Sequence, residues 1–170
     1  MTTPPPSERL HALADTLWAE RHLVELLLFK LVTAKLLLAA DERRFVTLAL
    51  DEVGRVLDSL HEAEQRREEA VADVAAEWGV RTDELTLTEL ARRAPEPLRT
   101  VFADHATAFL DLANEIDETA STNRRLATAT LSHVHASLDA LTGDSSTTTY
   151  TADGRHGATT AAPLRLDRVL

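Results

Sequence analysis

The sequence predicts an all-α protein: an elongated antiparallel coiled-coil-like bundle of three long helices and one short helix, with a disordered C-terminal tail. Its 170 residues include only four Phe, two Trp and one Tyr, although strands favour aromatic residues. Leu and Ala, which favour helices, are abundant. No proline lies between Pro6 and Pro95, so long helices are not interrupted. Apolar residues also recur at alternating spacings of three and four, which places them on one helix face.

The first helix is predicted over residues 7–39, after a disordered N-terminus at 1–6. Glu20 is the single polar member of its apolar face, which comprises Leu10, Leu13, Leu17, Val24, Leu27, Leu31, Ala34 and Leu38. The runs Leu26–Phe29 and Leu36–Leu38 extend the apolar surface around most of the circumference. Such a helix is either surrounded by its own bundle or awaits a partner. Three helices do not easily surround one another, which favours a partner or self-association.

The second helix is predicted over residues 42–78, with Asp41 as its N-cap and Gly79 as a left-handed residue at its end. Glu64 and Arg67 interrupt its apolar face, and a local ion pair between them is the simpler interpretation. That face comprises Val46, Leu50, Val53, Leu57, Leu60, Val71, Val74 and Trp78.

A short helix is predicted over residues 87–93, ended by Pro95. Thr86 and Glu89 have the spacing of a capping box, in which each side chain bonds to the backbone of the other residue. Leu85 and Leu90 flank this box at the spacing of a hydrophobic staple.

The last helix is predicted over residues 97–142, with Pro97 in its first turn. Its apolar face comprises Leu98, Phe102, Phe109, Leu112, Ile116 and Leu126, with His105 as a polar member. The face then shifts by one residue and continues as Leu131, Val134, Leu138 and Leu141. Thr119, Asn123 and Thr130 also fall on the inward side. Either they define the register of a coiled coil, or they keep the face open to another helix.

Residues 143–170 differ from the rest because they are rich in Ser, Thr and Gly and poor in apolar residues. Such a segment does not bury enough surface to offset the entropy of ordering. We therefore expect a flexible tail.

Charge and composition exclude several classes of protein. The chain has 28 acidic and 18 basic residues, a net charge of −10, which disfavours binding to nucleic acid. It contains no Cys, so disulfides and thiolate metal sites are excluded and a cytoplasmic location is expected. The most apolar window, 23–40, contains Glu25, Lys30 and Lys35, which disfavours stable membrane insertion.

The sequence offers no set of residues for catalysis. A carboxylate-bridged metal site in a bundle needs two Glu-x-x-His pairs, and only Glu8 and His11 form one. His133 and His135 are two residues apart, so their side chains diverge on a helix. Neither a Gly-rich phosphate loop nor a G-x-S-x-G elbow occurs. We therefore expect no enzyme activity, and no catalytic, cofactor-binding or metal site.

The order of these features resembles the FlgN family of flagellar type III export chaperones, over about residues 10–157. The resemblance is carried by Gln65-Arg66-Arg67, Trp78-Gly79, the Leu85-Thr86-Leu87-Thr88-Glu89-Leu90 helix, Asn123-x-x-Leu126 and Tyr150-x-x-x-Gly154-Arg155. An Asn that members often carry one turn before the one matching Asn123 is replaced here by Thr119 or Ala120.

The resemblance implies a cytoplasmic chaperone that binds hook-filament junction (hook-associated) proteins. Such chaperones prevent premature assembly of these clients and deliver them to the type III export gate. It also implies that the client contacts the distal last helix and the tail, at Asn123, Leu126, Leu131, Val134, Leu138, Leu141 and Tyr150. The alternative for Leu131 to Leu141 is that they form internal core of the bundle. A structural coiled-coil adaptor with a permanent helical partner would show the same periodicity. Self-association of the unloaded chain also stays open.

Overall fold

Four α-helices make up the described part of the chain. The computed structural model of the protein describes the secondary structure of residues 6–143 and the side chains of residues 8–138. The helices are α1 (Pro6–Ala39), α2 (Arg43–Trp78), α3 (Leu87–Arg93) and α4 (Leu98–Gly143), with a 3₁₀ turn at Thr82–Glu84. No strand occurs within residues 6–143, and the predicted all-α class is confirmed. Disorder is expected over residues 1–6 and 143–170. Pro6 and Gly143 instead belong to α1 and α4, and segments 1–5 and 144–170 lie outside the described residues.

The chain divides into two compact units. Unit 1 is Met1–Thr130 and unit 2 is Leu131–Leu170. In unit 1, α1 and α2 are antiparallel, since Arg9 at the start of α1 pairs with Glu77 at the end of α2 (Nη1 to Oε2, 3.3 Å). The part of α4 in unit 1 runs in the same direction as α1. His105 contacts Trp18, and Asn123 bonds to the more distal Leu31.

The turn between α1 and α2 differs from the sequence prediction, because Asp41 is not the N-cap of α2. That position is held by Glu42, whose side chain makes no capping hydrogen bond. Asp41 has a φ of 54°, a left-handed conformation that Asp tolerates better than most residues. The amides of Asp41 and Glu42 donate to the carbonyls of Leu38 and Leu37, the pattern of a Schellman motif. Asp41 therefore terminates α1 and does not cap α2.

The other predicted helix ends are closer to the structure. Gly79 has a φ of 64°, and it ends α2 in a second Schellman motif, with Val80 donating to Ala75 at 3.0 Å. The Thr86 hydroxyl accepts a hydrogen bond from the Glu89 amide at 3.2 Å, which is half of the predicted capping box. The other half is replaced, because the Glu89 carboxylate accepts hydrogen bonds from Arg92. Leu85 and Leu90, the predicted staple, are both buried.

The core of unit 1 lies where the beginnings of α1 and α4 meet the end of α2 and the segment around α3. Leu13, Leu17, Leu90 and Phe102 are its largest fully buried apolar side chains, together with Val74. The buried cluster also contains Leu10, Ala14, Ala75, Leu85, Ala94 and Leu98. This convergence of four segments explains why these side chains exclude water, as each is covered from several sides.

The predicted apolar face of α2 is only partly correct. The buried residues of α2 are Ala49, Val56, Ala63, Val74 and Ala75. Leu50 and Leu57, which the periodicity places in the core, are exposed. The actual face lies about one residue to the side, because small Ala side chains allow the closely packed contact with α1. Larger side chains beside them are left at the edge of that contact.

Candidate functional site

The inward face of α4 follows the predicted spacing throughout unit 1. Phe102, His105 and Thr119 are buried, and Phe109, Leu112, Ile116, Asn123, Leu126 and Thr130 are partly buried. Successive positions alternate by three and four residues, so all of them lie on one side of the helix. The predicted register up to Thr130 is therefore confirmed.

Asn123 and Leu126, the first two predicted client contacts, lie on this inward face in unit 1. The Asn123 Nδ2 donates a hydrogen bond to the backbone carbonyl of Leu31 on α1 at 2.9 Å. Its Oδ1 is buried and receives no hydrogen bond from the residues described. Asn123 thus links α4 to α1, which corresponds to the register-defining role considered for a buried Asn. An unsatisfied buried acceptor is costly, and it leaves the amide able to accept one further donor.

Leu131, Val134 and Leu138 lie in unit 2, on the distal part of α4. Leu131 is 60% exposed and Leu138 is 51% exposed, whereas Val134 is half-buried. Their spacings of three and four place them on one face of the helix. Leu141 belongs to the same helix by its backbone, but its side chain is not among those described, and Tyr150 also lies outside the described residues. Unit 2 therefore presents a short, largely exposed apolar face.

The apolar surface expected on α1 is also found. Phe29 and Leu36 are exposed, and a cavity of about 360 Å³ opens between α1 and α2 near their connecting turn. Its lining comprises Phe29, Lys30, Thr33, Leu37, Phe45, Leu48, Ala49 and Glu52. The Lys30 Nζ donates to the Glu52 Oε2 at 2.6 Å. This hydrogen bond, assisted by the charges of Arg55 and Lys30, lowers the pKa of Glu52.

An ion pair between helices replaces the local one predicted in α2. Arg67 does not pair with Glu64, since its Nε lies 2.8 Å from the Oε2 of Glu20 on α1 and donates to Oε1 at 3.1 Å. Burial raises the pKa of Glu20, and the charge and hydrogen bond of Arg67 oppose that increase. Glu20 and Arg67, each a polar residue within the apolar face of its own helix, therefore pair with each other. The sequence shows both polar positions, but only the packing of α1 on α2 shows that they face each other.

His105 is another polar residue that the structure buries, at 1% exposure. Its ring meets Trp18 edge-on, with centroids 4.7 Å apart, and stacks on Phe109 at 6.0 Å. Neither ring nitrogen has a hydrogen-bond partner within residues 8–138. Burial and the nearby positive charge of Arg21 lower the pKa of His105, with Asp104 opposing them. His105 therefore packs as a neutral aromatic side chain.

Within the described part of the chain, no group of three or more His, Asp or Glu side chains is placed to hold a metal ion. Among the helices of residues 6–143, none has a stretch that is both long and apolar enough to cross a membrane.

A helical bundle that leaves apolar faces exposed on several helices is typical of all-α proteins that bind helices of other proteins. The comparison with protein families defines this class further. The chain belongs to the FlgN family, because the family model described as FlgN protein matches residues 1–157. Comparisons with curated proteins and with solved structures give no significant match. Membership supports a role as a flagellar export chaperone in general, in a family that binds flagellar hook-associated proteins.

Proposed function

We propose that this protein is a cytoplasmic chaperone for hook-filament junction proteins, which it keeps from assembling early and delivers to the flagellar export gate. Family membership over residues 1–157 supports the general role. The observation that carries the proposal for this chain is the exposed apolar face of unit 2, at Leu131 and Leu138. An exposed apolar face of this kind is characteristic of an interaction surface.

The proposed contact is a helix of the client lying along this face. An amphipathic helix docks through side chains spaced three and four residues apart, which matches the spacing of Leu131, Val134, Leu138 and Leu141. Covering the client's apolar face would keep it from pairing with other copies. Release at the export gate requires a contact of modest area, which a short face provides.

Asn123, Leu126 and Tyr150 have separate parts in the proposal. Asn123 and Leu126 are half-buried and one turn apart on the inward face of α4. The proposal gives them a client contact that forms when a client helix displaces the packing that buries the Asn123 Oδ1. Tyr150 is the sole Tyr of the chain and lies among Ser and Thr. Its combination of a large apolar ring and a polar tip suits it to anchor a partner, which we take to be the client or the export gate.

The test is co-purification and calorimetry with the hook-associated proteins encoded in the same genome. Leu131→Asp should weaken client binding by roughly tenfold or more, since it places a charge where an apolar contact is expected. The matched control is Leu110→Asp, on an exposed Leu of the same helix in unit 1, which should leave binding unchanged. Equal affinities for wild type and Leu131→Asp would remove this face from the proposal. The alternative is a structural coiled-coil adaptor with a permanent helical partner. It would be favoured if the protein bound no hook-associated protein and instead formed a tight complex with a different partner that it did not release.

The tail has its own test, deletion of residues 144–170. Because this segment has few apolar residues, its removal should leave helicity and the thermal midpoint almost unchanged. Client affinity or transfer to the export gate should fall, and Tyr150→Ala should reproduce part of the loss. If the deletion changes neither affinity nor export, the tail has no part in the function.

A further inference from the structure

A second apolar stripe runs along α2, outside the core of unit 1. We name it the outer stripe, and it consists of Val46, Leu50, Val53, Leu57 and Leu60. Leu50 is 53% exposed and Leu57 is 48% exposed, and the other three are half-buried. The spacings are 4, 3, 4 and 3, which is the repeat of a coiled-coil seam. The stripe therefore has the spacing of a helix contact, while its two central Leu side chains are about half exposed.

The contact of α2 with α1 does not account for the outer stripe. The contact of α2 with α1 is made by the adjacent line of Ala49, Val56 and Ala63, all of which are buried. At about 100° per residue, the outer stripe lies beside that line on the helix surface. Two parallel apolar rows on one helix are needed when the helix has two helical neighbours.

Gly54 lies next to the outer stripe and has no role within the described packing. A Cβ added there would meet no atom within 4 Å, and its φ is not in the left-handed region. Glycine in a helix interior is less stable than Ala, and its benefit is that another backbone can approach closely. On the helix surface Gly54 follows Val53 on the side away from α1. Close approach of another helix would explain both the glycine and the exposed Leu side chains.

The charges beside the outer stripe indicate which helix fits. Beyond Gly54 on the helix surface lie Asp51, Asp58 and Glu62, all exposed. Between residues 46 and 62, Arg55 is the only Lys or Arg, and it is paired with Glu52. Two copies of this stripe would bring like charges together, which disfavours self-pairing. A helix with basic residues beside its apolar face would meet complementary charge.

We propose that the outer stripe of α2 is a docking surface for a basic amphipathic helix of a partner protein, whose backbone approaches α2 closely at Gly54. The surface lies in unit 1 and is independent of the client proposal, which concerns the distal part of α4. Its affinity should fall with added salt, because exposed charges are screened.

The experiment uses the full chain and three synthetic peptides with Leu at heptad positions a and d. The first peptide has Lys at the remaining positions, the second has Glu there, and the third is a scrambled isomer of the first. Fluorescence anisotropy measures the Kd of each peptide. The Lys peptide should bind, and the Glu and scrambled peptides should bind at least roughly tenfold more weakly.

Variants of the protein locate the binding. Leu57→Gln and Gly54→Gln should each weaken binding of the Lys peptide by about tenfold or more, because one removes an apolar contact and the other blocks close approach. The matched control is Leu48→Gln, an exposed Leu on the other side of α2, which should bind within about twofold of wild type. Leu131→Gln, in the proposed client face of unit 2, tests whether the peptide binds there instead of at the outer stripe.

Thermal unfolding separates a lost contact from a lost fold. Gly54→Gln replaces a helical glycine at a position with open space around the Cβ, so its midpoint should rise by about 2–4 °C. A variant that is more stable yet binds less well would support the proposal. Equal binding by wild type, Leu57→Gln and Gly54→Gln would overturn it, as would loss of binding in Leu131→Gln alone. A dimer that is abolished by Leu57→Gln, without peptide binding, would overturn the proposed partner in favour of a second copy.

Discussion

Two regions of α4 carry the same apolar repeat and differ completely in their surroundings. In unit 1, Phe102 is fully buried among residues from α1, α2 and the segment around α3. In unit 2, Leu131 and Leu138 are at least half exposed. Spacing therefore defines which side chains share a face, but it does not define whether anything covers that face. The difference identifies the first region as structural core and the second as a candidate surface for a partner.

The strongest test of this contrast is a pair of truncations in α4. Phe102→Ala should reduce the free energy of unfolding by about 3–5 kcal/mol, because it removes a buried ring and leaves a cavity. Leu131→Ala should change it by no more than about 0.5 kcal/mol, since the side chain is mostly exposed. Urea unfolding followed by circular dichroism measures both. If Leu131→Ala is as destabilising as Phe102→Ala, the distal face is internal core and the contrast fails.

The contrast between buried and exposed positions can also be tested with charged residues, using the ion pair between Glu20 and Arg67. Arg67→Met should destabilise the fold by about 1–3 kcal/mol, because the largely buried carboxylate of Glu20 loses its cation. Adding Glu20→Leu should recover most of that loss, since no buried charge then remains. Arg92→Met is the control, as its pair with Glu89 is on the surface, and it should cost no more than about 0.5 kcal/mol. Equal effects of Arg67→Met and Arg92→Met would contradict the buried pair.

The smallest expected effect is a pH dependence that originates at His105. Its pKa in the folded protein is lowered by burial, so protons bind more readily to the unfolded chain, where His has a pKa of about 6.5. The contribution of His105 to the free energy of unfolding is therefore fully present above about pH 6.5. It is lost as the pH falls from there towards the pKa that His105 has in the folded protein. Each unit of pKa difference corresponds to about 1.4 kcal/mol.

His105→Leu isolates this contribution. Unfolding free energies measured between pH 5 and 8 should fall with decreasing pH more steeply for the wild type than for the variant. The raised pKa of Glu20 has the opposite sign, since stability then decreases as the pH rises above about 4.5, and it is common to both proteins. Parallel pH profiles would show that His105 is not buried as described.

Several local features could be predicted because neighbouring residues decide them. The glycine at the end of α2, the Thr86 cap of α3 and the register of α4 up to Thr130 each follow from residues within a few positions of one another. The apolar runs around most of the circumference of α1 likewise indicated apolar surface that α1 does not bury, and Phe29 and Leu36 are exposed; the partner expected there stays a prediction. The predicted client contacts depend on a second protein and not on neighbouring residues of this chain, and they stay predictions.

The sequence alone determined the all-α class, because composition, sparse breakers and helical spacing are properties of the chain itself. Only the tertiary structure decided which apolar row of α2 meets α1 and that Glu20 pairs with Arg67. These outcomes depend on how closely two helices approach and on which positions face each other. That geometry is set jointly by side chains far apart in the sequence, so no local pattern contains it.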